Sequence, residues 1–213
     1  MVRKLSVVII GVRWFLHVVW KHAEIIPPSS AVFYSGKIFK SCKYIQTRYT
    51  VLSADDDFLI PKALAKCIKF LNENPDYASA HGIYFSHSQE NISNKLFFTL
   101  FPHNPNVLSS EENSSSERVE AYLSGKTESY PFYAVQRTKT FCKIWDETHS
   151  YVSDWGLSEL FPCSLSFTFG KMKTLPIFYA SREPHIMNPF DKNRVAVMYS
   201  KAKIDRVVKG LAV

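Results

Sequence analysis

Three consecutive carboxylates, Asp55, Asp56 and Asp57, are the residues of this chain best suited to chemistry. They follow the apolar run YTVLSA and stand just before Pro61. Like charges set side by side repel one another, and a divalent cation is the natural compensation. In an extended segment alternate residues point the same way, so Asp55 and Asp57 can face one ligand. Capping the helix that Pro61 opens would need one carboxylate, not three. A second acidic stretch, SDWGLSEL, carries Asp154 and Glu159. The four cysteines, Cys42, Cys67, Cys142 and Cys163, lie far apart and form no CxxC pair, which argues against a zinc site. Such spacing makes a reducing compartment the default reading.

The elements that must position the triplet can be read around it. Val7 to Ile10 is a continuous β-branched run, as in a strand buried on both faces of a parallel sheet. A core strand is the better reading than a secretory signal there. The run is short, Arg13 and His17 interrupt the residues after it, and no small-residue cleavage site is evident. No stretch reaches the roughly 18 uncharged residues of a membrane-spanning helix. Phe15 to Trp20 is a second candidate strand, and Gly36 to Ile45 a helix with Ile38, Cys42 and Ile45 along one side. Thr50 to Ala54 is the strand that feeds the triplet.

Pro61 suits the first turn of a helix, where its missing N–H costs nothing. Leu64, Cys67, Ile68 and Leu71 follow the i, i+3, i+4, i+7 spacing of a buried face, and the run Asn72 to Asp76 stops the helix. Cys67 therefore reads as a buried thiol. Ala78 to Phe85 is a further strand. This β–α–β succession predicts an α/β domain with at least partly parallel strands and a ligand site beyond a strand's carboxyl end. From Ser86 the pattern weakens, and SSEENSSSE over 109–117 has the composition of a flexible loop. Arg118 to Gly125 reads as a short helix, Tyr130 to Arg137 as a strand and Thr138 to Trp145 as a helix. Ser153 to Leu160 reads as an acidic helix with an N-cap-like start. Gly170 to Ala180 reads as a strand, and the tail from Asn193 as a basic helix.

With 213 residues, 46% of them apolar and 21% charged, the chain is sized for one globular domain. The net charge of +7 comes from scattered lysines and arginines rather than one tract. No helix-turn-helix, zinc-finger or RNP-like pattern accompanies them, so nucleic acid is not an expected partner.

The stretch YTVLSADDDFLIPKALAKCIKFLNENPDY resembles the DxD core of GT-A glycosyltransferases of the family 2 kind. It is nearest to a bacterial subgroup with ADDDF after a hydrophobic strand and a helix ending in FL-x-x-NPDY. Lys37 to Thr47 is similar to that subgroup's entry to the strand, and YPFYAVQRT, WGLSEL and YASREPH are similar to its later parts. The similarity covers about residues 36 to 187. Before residue 36 the chain departs from the pattern. No PTYNR-type loop follows KLSVVIIGV, and Trp20 or Lys21 stands where an Asp is expected. The nucleotide-binding part, 1–35, is thus expected to be divergent or shortened. The resemblance further divides the chain into a DxD core at 36–85, an acceptor-side part at 118–190 and a C-terminal tail at 191–213.

The resemblance implies a three-layer α/β/α fold with a mostly parallel central sheet. It implies a metal-dependent transfer of a sugar from a nucleotide-sugar donor to a saccharide or lipid-linked acceptor, with inversion, as in polysaccharide biosynthesis. Mn²⁺ or Mg²⁺ would bridge carboxylate and diphosphate. Asp57 is the first metal ligand it implies, Asp55 the second, and Asp56 binds either ribose or metal. His185 is a further metal candidate and Arg182 a partner for the diphosphate. The base that takes the acceptor proton is Asp154 or Glu159, with Asp154 narrowly ahead. Trp155 and Tyr133 are candidate stacking surfaces, although core packing suits Tyr133 better. The implied location is the cytoplasm, with peripheral association at the inner membrane face left open. The competing expectation is a GT-A-derived binding or accessory module that has lost nucleotide binding.

Overall fold

A computed structural model of the chain describes residues 5–10, 34–54, 57–89, 96–100, 109–126, 131–153 and 157–182. In chain order these form β1 (Leu5–Ile10), α1 (Tyr34–Ser41), β2 (Tyr49–Ala54), β3 (Phe58–Leu59) and α2 (Pro61–Glu73). They continue with β4 (Tyr77–Gln89), β5 (Leu96–Leu100), α3 (Ser115–Leu123), β6 (Val135–Arg137), α4 (Thr138–Tyr151), α5 (Leu160–Ser166) and β7 (Lys171–Arg182). The candidate strand Phe15 to Trp20 and the helix expected from Asn193 lie outside the described residues.

The strands form one 7-stranded sheet in the order β1-β2-β6-β4-β7-β3, with β5 paired to β4. β1 lies parallel to β2 and β4 parallel to β7, whereas β6 is antiparallel to both β2 and β4. β3 and β5 are antiparallel to their neighbours as well. The sheet is therefore mixed, where a mostly parallel one was expected. The longer strands β1, β2, β4 and β7 still point the same way, so their carboxyl ends share one edge.

Two helical groups cover opposite faces, and β2 reveals the division through its period of two. Val51 packs with Ala63, Leu64, Cys67, Ile68 and Leu71 of α2. Its neighbour Leu52 packs with Ile38 of α1 and with Phe141 and Trp145 of α4. Successive strand residues face opposite sides, so α2 covers one face and α1 with α4 the other. Each fully buried Leu or Ile on these faces contributes about 1.5–3 kcal/mol. The α2 residues expected to be buried, Leu64, Cys67, Ile68 and Leu71, are buried, together with Ala63.

At several boundaries the fold differs from what local composition predicts. Residues 109–117 are not one irregular loop. Ser110 bridges Met172, and Ser114 caps α3 through a capping box in which the Glu117 side chain answers the Ser114 backbone. The buried Arg118 ties this segment down. Its guanidinium donates to the carbonyls of Phe167 at 2.9 Å, Glu112 at 2.7 Å and Asn113 at 3.0 Å. Of the helix expected over 153–160, positions 154–156 lie outside the described residues, and Leu157 is in a 3-10 turn. α4 runs on to Tyr151, and α5 starts at Leu160. Instead of one strand over 130–137, a 3-10 turn at Pro131–Tyr133 precedes the short β6.

β4 and β7 come close enough to dictate a glycine. A Cβ at Gly82 would lie 2.4 Å from the Ile177 carbonyl oxygen, a backbone atom that cannot step aside. Beside it His81 is fully buried. Its Nδ1–H donates to the Gly82 carbonyl at 2.6 Å, which leaves Nε2 to accept from the Thr174 hydroxyl at 3.4 Å. Burial pushes the imidazole down from 6.5 to about 4, against the opposing pull of the Gly82 carbonyl. The unfolded chain therefore binds the proton first. His81 supports the fold fully above pH 6.5, and that support is lost as pH falls toward 4. Between pH 7 and pH 4 its contribution falls by about 3 kcal/mol. Denaturant unfolding at the two pH values should show a loss smaller by that amount in His81→Gln than in the wild type. An equal acid sensitivity in both would remove His81 from the account.

Candidate functional site

The carboxyl edge of the sheet gathers the charged residues. Asp57 follows β2 and immediately precedes β3, and its N–H donates to the Ala54 carbonyl at 3.3 Å. β3 then pairs antiparallel with the end of β7, Phe58 opposite Ser181 and Leu59 opposite Ala180. The Ile60 N–H extends the ladder to the Tyr179 carbonyl at 2.9 Å. Carried one step the other way, this register sets Asp57 opposite Arg182. Their side chains meet, with Nε 3.3 Å from Oδ2. Only 6% of the Asp57 side chain and 20% of the Arg182 side chain remain exposed, so the pair is largely desolvated.

Asp57 does not cap α2. Ile60 holds the N-cap position, and its carbonyl accepts from Ala63 at 2.9 Å and Leu64 at 3.1 Å. The carboxylate answers a cation instead. Tyr133 completes the seat of that cation, because the Arg182 guanidinium carbon lies 4.6 Å from the centre of its ring. Tyr133 is held from the other side by the Tyr179 hydroxyl, which donates to its backbone carbonyl at 2.8 Å.

Glu159 belongs to the same electrostatic group. It occupies the N-cap of α5 and exposes surface to solvent, yet protein closes round it on most sides. Burial raises its pKa above the ordinary carboxylate range, and Arg182 pulls it back down. Water contact also works against the rise. For Arg182 the balance runs the other way. Burial opposes its charge, but Asp57, Tyr133, Tyr84 and Glu159 outweigh burial and hold the guanidinium above its usual value. Burial likewise pushes the Tyr133 and Tyr84 hydroxyls up, with Asp57 adding to the effect and Arg182 opposing it.

Of the residues singled out from sequence, Asp57, Arg182, Glu159 and Tyr133 thus come together. Asp55, Asp56, Asp154, Trp155 and His185 lie outside the described residues. Tyr133 packs against two core clusters, as expected, and also serves as the platform for a guanidinium. Tyr84 is the member that sequence reasoning missed. It reads as an ordinary strand aromatic, and only the β4–β7 pairing brings it to the charged group. Among the described residues no three His, Cys, Asp or Glu side chains form a cation cage. Asp57 supplies a hard oxygen donor suited to Mg²⁺ or Mn²⁺, and a full ligand set would draw on Asp55 and Asp56.

Removing one partner of a desolvated ion pair strands the other. Arg182→Met should therefore destabilise the protein by about 3 kcal/mol. Combining it with Asp57→Asn should recover part of that loss, because no charge is then left buried. Arg182→Lys should rescue poorly, since an ammonium cannot lie flat on the Tyr133 ring as a guanidinium does. Urea unfolding of the four proteins measures this coupling, and strictly additive losses would show that the two side chains act independently.

Comparisons with known proteins assign no family to this chain. No protein-family model matches it, and a search of curated proteins finds no match.

Proposed function

We propose that this protein is a metal-dependent GT-A-type glycosyltransferase, moving a sugar with inversion from a nucleotide-sugar donor to a saccharide or lipid-linked acceptor. The observation that carries the reading is the meeting of Asp57, Arg182 and Glu159 at the carboxyl edge of the sheet, where open α/β sheets bind ligands. It is supported by the ADDDF unit between a buried strand and a Pro-started helix.

The chemistry divides between two needs. The leaving nucleoside diphosphate develops negative charge, and a buried guanidinium seated on Tyr133 is a preorganised partner for it. Asp57 keeps Arg182 in that position until the diphosphate arrives. The acceptor hydroxyl must lose a proton, and Glu159 or Asp154 takes it. Burial raises the pKa of Glu159 above the ordinary carboxylate range, and Arg182 opposes the rise. A divalent cation on Asp57, with Asp55 or Asp56, would supply further stabilisation of the leaving diphosphate.

Release of nucleoside diphosphate, assayed over a panel of nucleotide sugars with Mn²⁺ or Mg²⁺, tests the activity. Turnover should fall at least about a hundredfold in Asp57→Ala, the scale of losing one preorganised charge-stabilising group. Turnover unchanged by that substitution would sink the mechanism. The pH profile separates the two candidate bases. A base works only when deprotonated, so the rate should fall as pH drops through its pKa. If Glu159 is the base, that acid limb stands above the ordinary glutamate range and disappears with activity in Glu159→Gln. If Asp154 is the base, Asp154→Asn abolishes turnover while Glu159→Gln leaves the limb in place.

One observation favours the second reading, a binding or accessory module without catalysis. The Asp57 carboxylate already has a protein cation at 3.3 Å, which reduces its need for a metal. Calorimetry decides between them: Mn²⁺-dependent binding of UDP or GDP favours the transferase, and its absence favours the module.

A further inference from the structure

We propose that Cys42 and Cys142 form a reversible oxidation site, in which a peroxide converts the two thiols into a disulfide joining the end of α1 to α4. This site lies apart from the charged edge and does not depend on the transferase reading. Cys42 opens the 3-10 turn Cys42–Tyr44 that follows α1, and Cys142 sits in the second turn of α4. The two helices pack together on one face of the sheet through Ile38, Phe141 and Trp145, and both cysteines lie against that cluster. Phe39 and His149 stack at 4.8 Å and add a second clasp between the same helices. Across this joint the Cys142 thiol donates to the Cys42 carbonyl oxygen at 4.0 Å, which sets the two cysteines against each other.

The remaining cysteines provide the contrast. Cys67 and Cys163 are buried, whereas Cys42 and Cys142 are both partly exposed. Burial pushes the Cys67 thiol up to about 12 and raises Cys163 as well, which leaves them protonated and unreactive. Within the pair the two sulfurs differ. The hydrogen bond from Cys42 lowers the pKa of Cys142, against the effect of burial. The same bond, with burial and the nearby Asp146, raises Cys42. Cys142 is the attacking sulfur, once it gives up the proton it donates to the Cys42 carbonyl, and Cys42 is the thiol that resolves it.

The balance of the step follows from these roles. The Cys142 thiolate attacks one oxygen of hydrogen peroxide, the O–O bond breaks, and hydroxide leaves and is protonated to water. Cys142 is then a sulfenic acid. Cys42 sulfur attacks it, an S–S bond forms, the S–O bond breaks, and the departing hydroxide takes the Cys42 proton as a second water. Two thiols have given two electrons to one peroxide. The bond closes a loop between positions 100 apart in sequence, which restricts the unfolded chain.

The test uses the full-length reduced protein with hydrogen peroxide. Peptide mass spectrometry without reductant should show one crosslink, Cys42 to Cys142, lighter by two hydrogens. Half of the four thiols should be lost, and dithiothreitol should restore them. The oxidised protein should unfold at a higher temperature than the reduced one. In Cys42→Ser, oxidation should stop at a Cys142 sulfenic acid that dimedone traps. In Cys142→Ser, Cys42 should stay reduced under the same exposure. Oxidation of Cys142 to sulfinic acid in the wild type without a crosslink would overturn the proposal. So would crosslinks to Cys67 or Cys163, or equal formation of the bond in urea-unfolded chains.

Discussion

The cost of keeping a carboxylate out of water governs this structure. Asp57 is almost fully covered, and an unpaired charge in such a place would unfold the segment or take up a proton. The fold answers with Arg182, delivered by the antiparallel pairing of β3 and β7. That short pairing is only two residues long, yet it sets the register that brings the two side chains into contact. Tyr133, Tyr84 and Glu159 then arrange themselves around the guanidinium, so the electrostatics of the whole edge follow from one strand register.

The same pairing explains why the core must be built as it is. β7 can reach β3 only because it first lies parallel along β4, where Gly82 permits close approach and His81 is enclosed as the neutral form. β2, buried on both faces, carries the chain to Asp57 and connects the α2 layer to the α1–α4 layer. Packing and chemistry are therefore coupled. A disturbance of the β4–β7 contact would shift Arg182, and with it the balance of every ionisable group nearby.

Polar residues in less regular segments carry a comparable share of the structure. Arg118, Ser114 and Glu117 convert a stretch of low apolar content into a capped helix tied to the body of the protein. Arg137 does similar work at the other end of α2, donating to the carbonyls of Leu71 at 2.6 Å and Asn74 at 3.1 Å. Both arginines add donors to backbone carbonyls at the ends of neighbouring elements, groups that are costly to leave without a partner.

Much of the framework was legible from local pattern. The β-branched run at Val7 to Ile10, the strand before the Asp triplet and the spaced apolar face of α2 each contain their own signal, because strand and helix periods are written in neighbouring residues. The capping box at Ser114 was legible too, but serine-rich composition obscured it. Other features were not available locally. The antiparallel insertion of β6, the pairing of Asp57 with Arg182, the recruitment of Tyr84 and the meeting of Cys42 with Cys142 all join residues distant in the chain. Sequence by itself determined which residues could carry charge and which faces would be buried. Tertiary structure decided which charges meet, because pairing register and helix packing are settled by long-range contacts that no local spacing encodes.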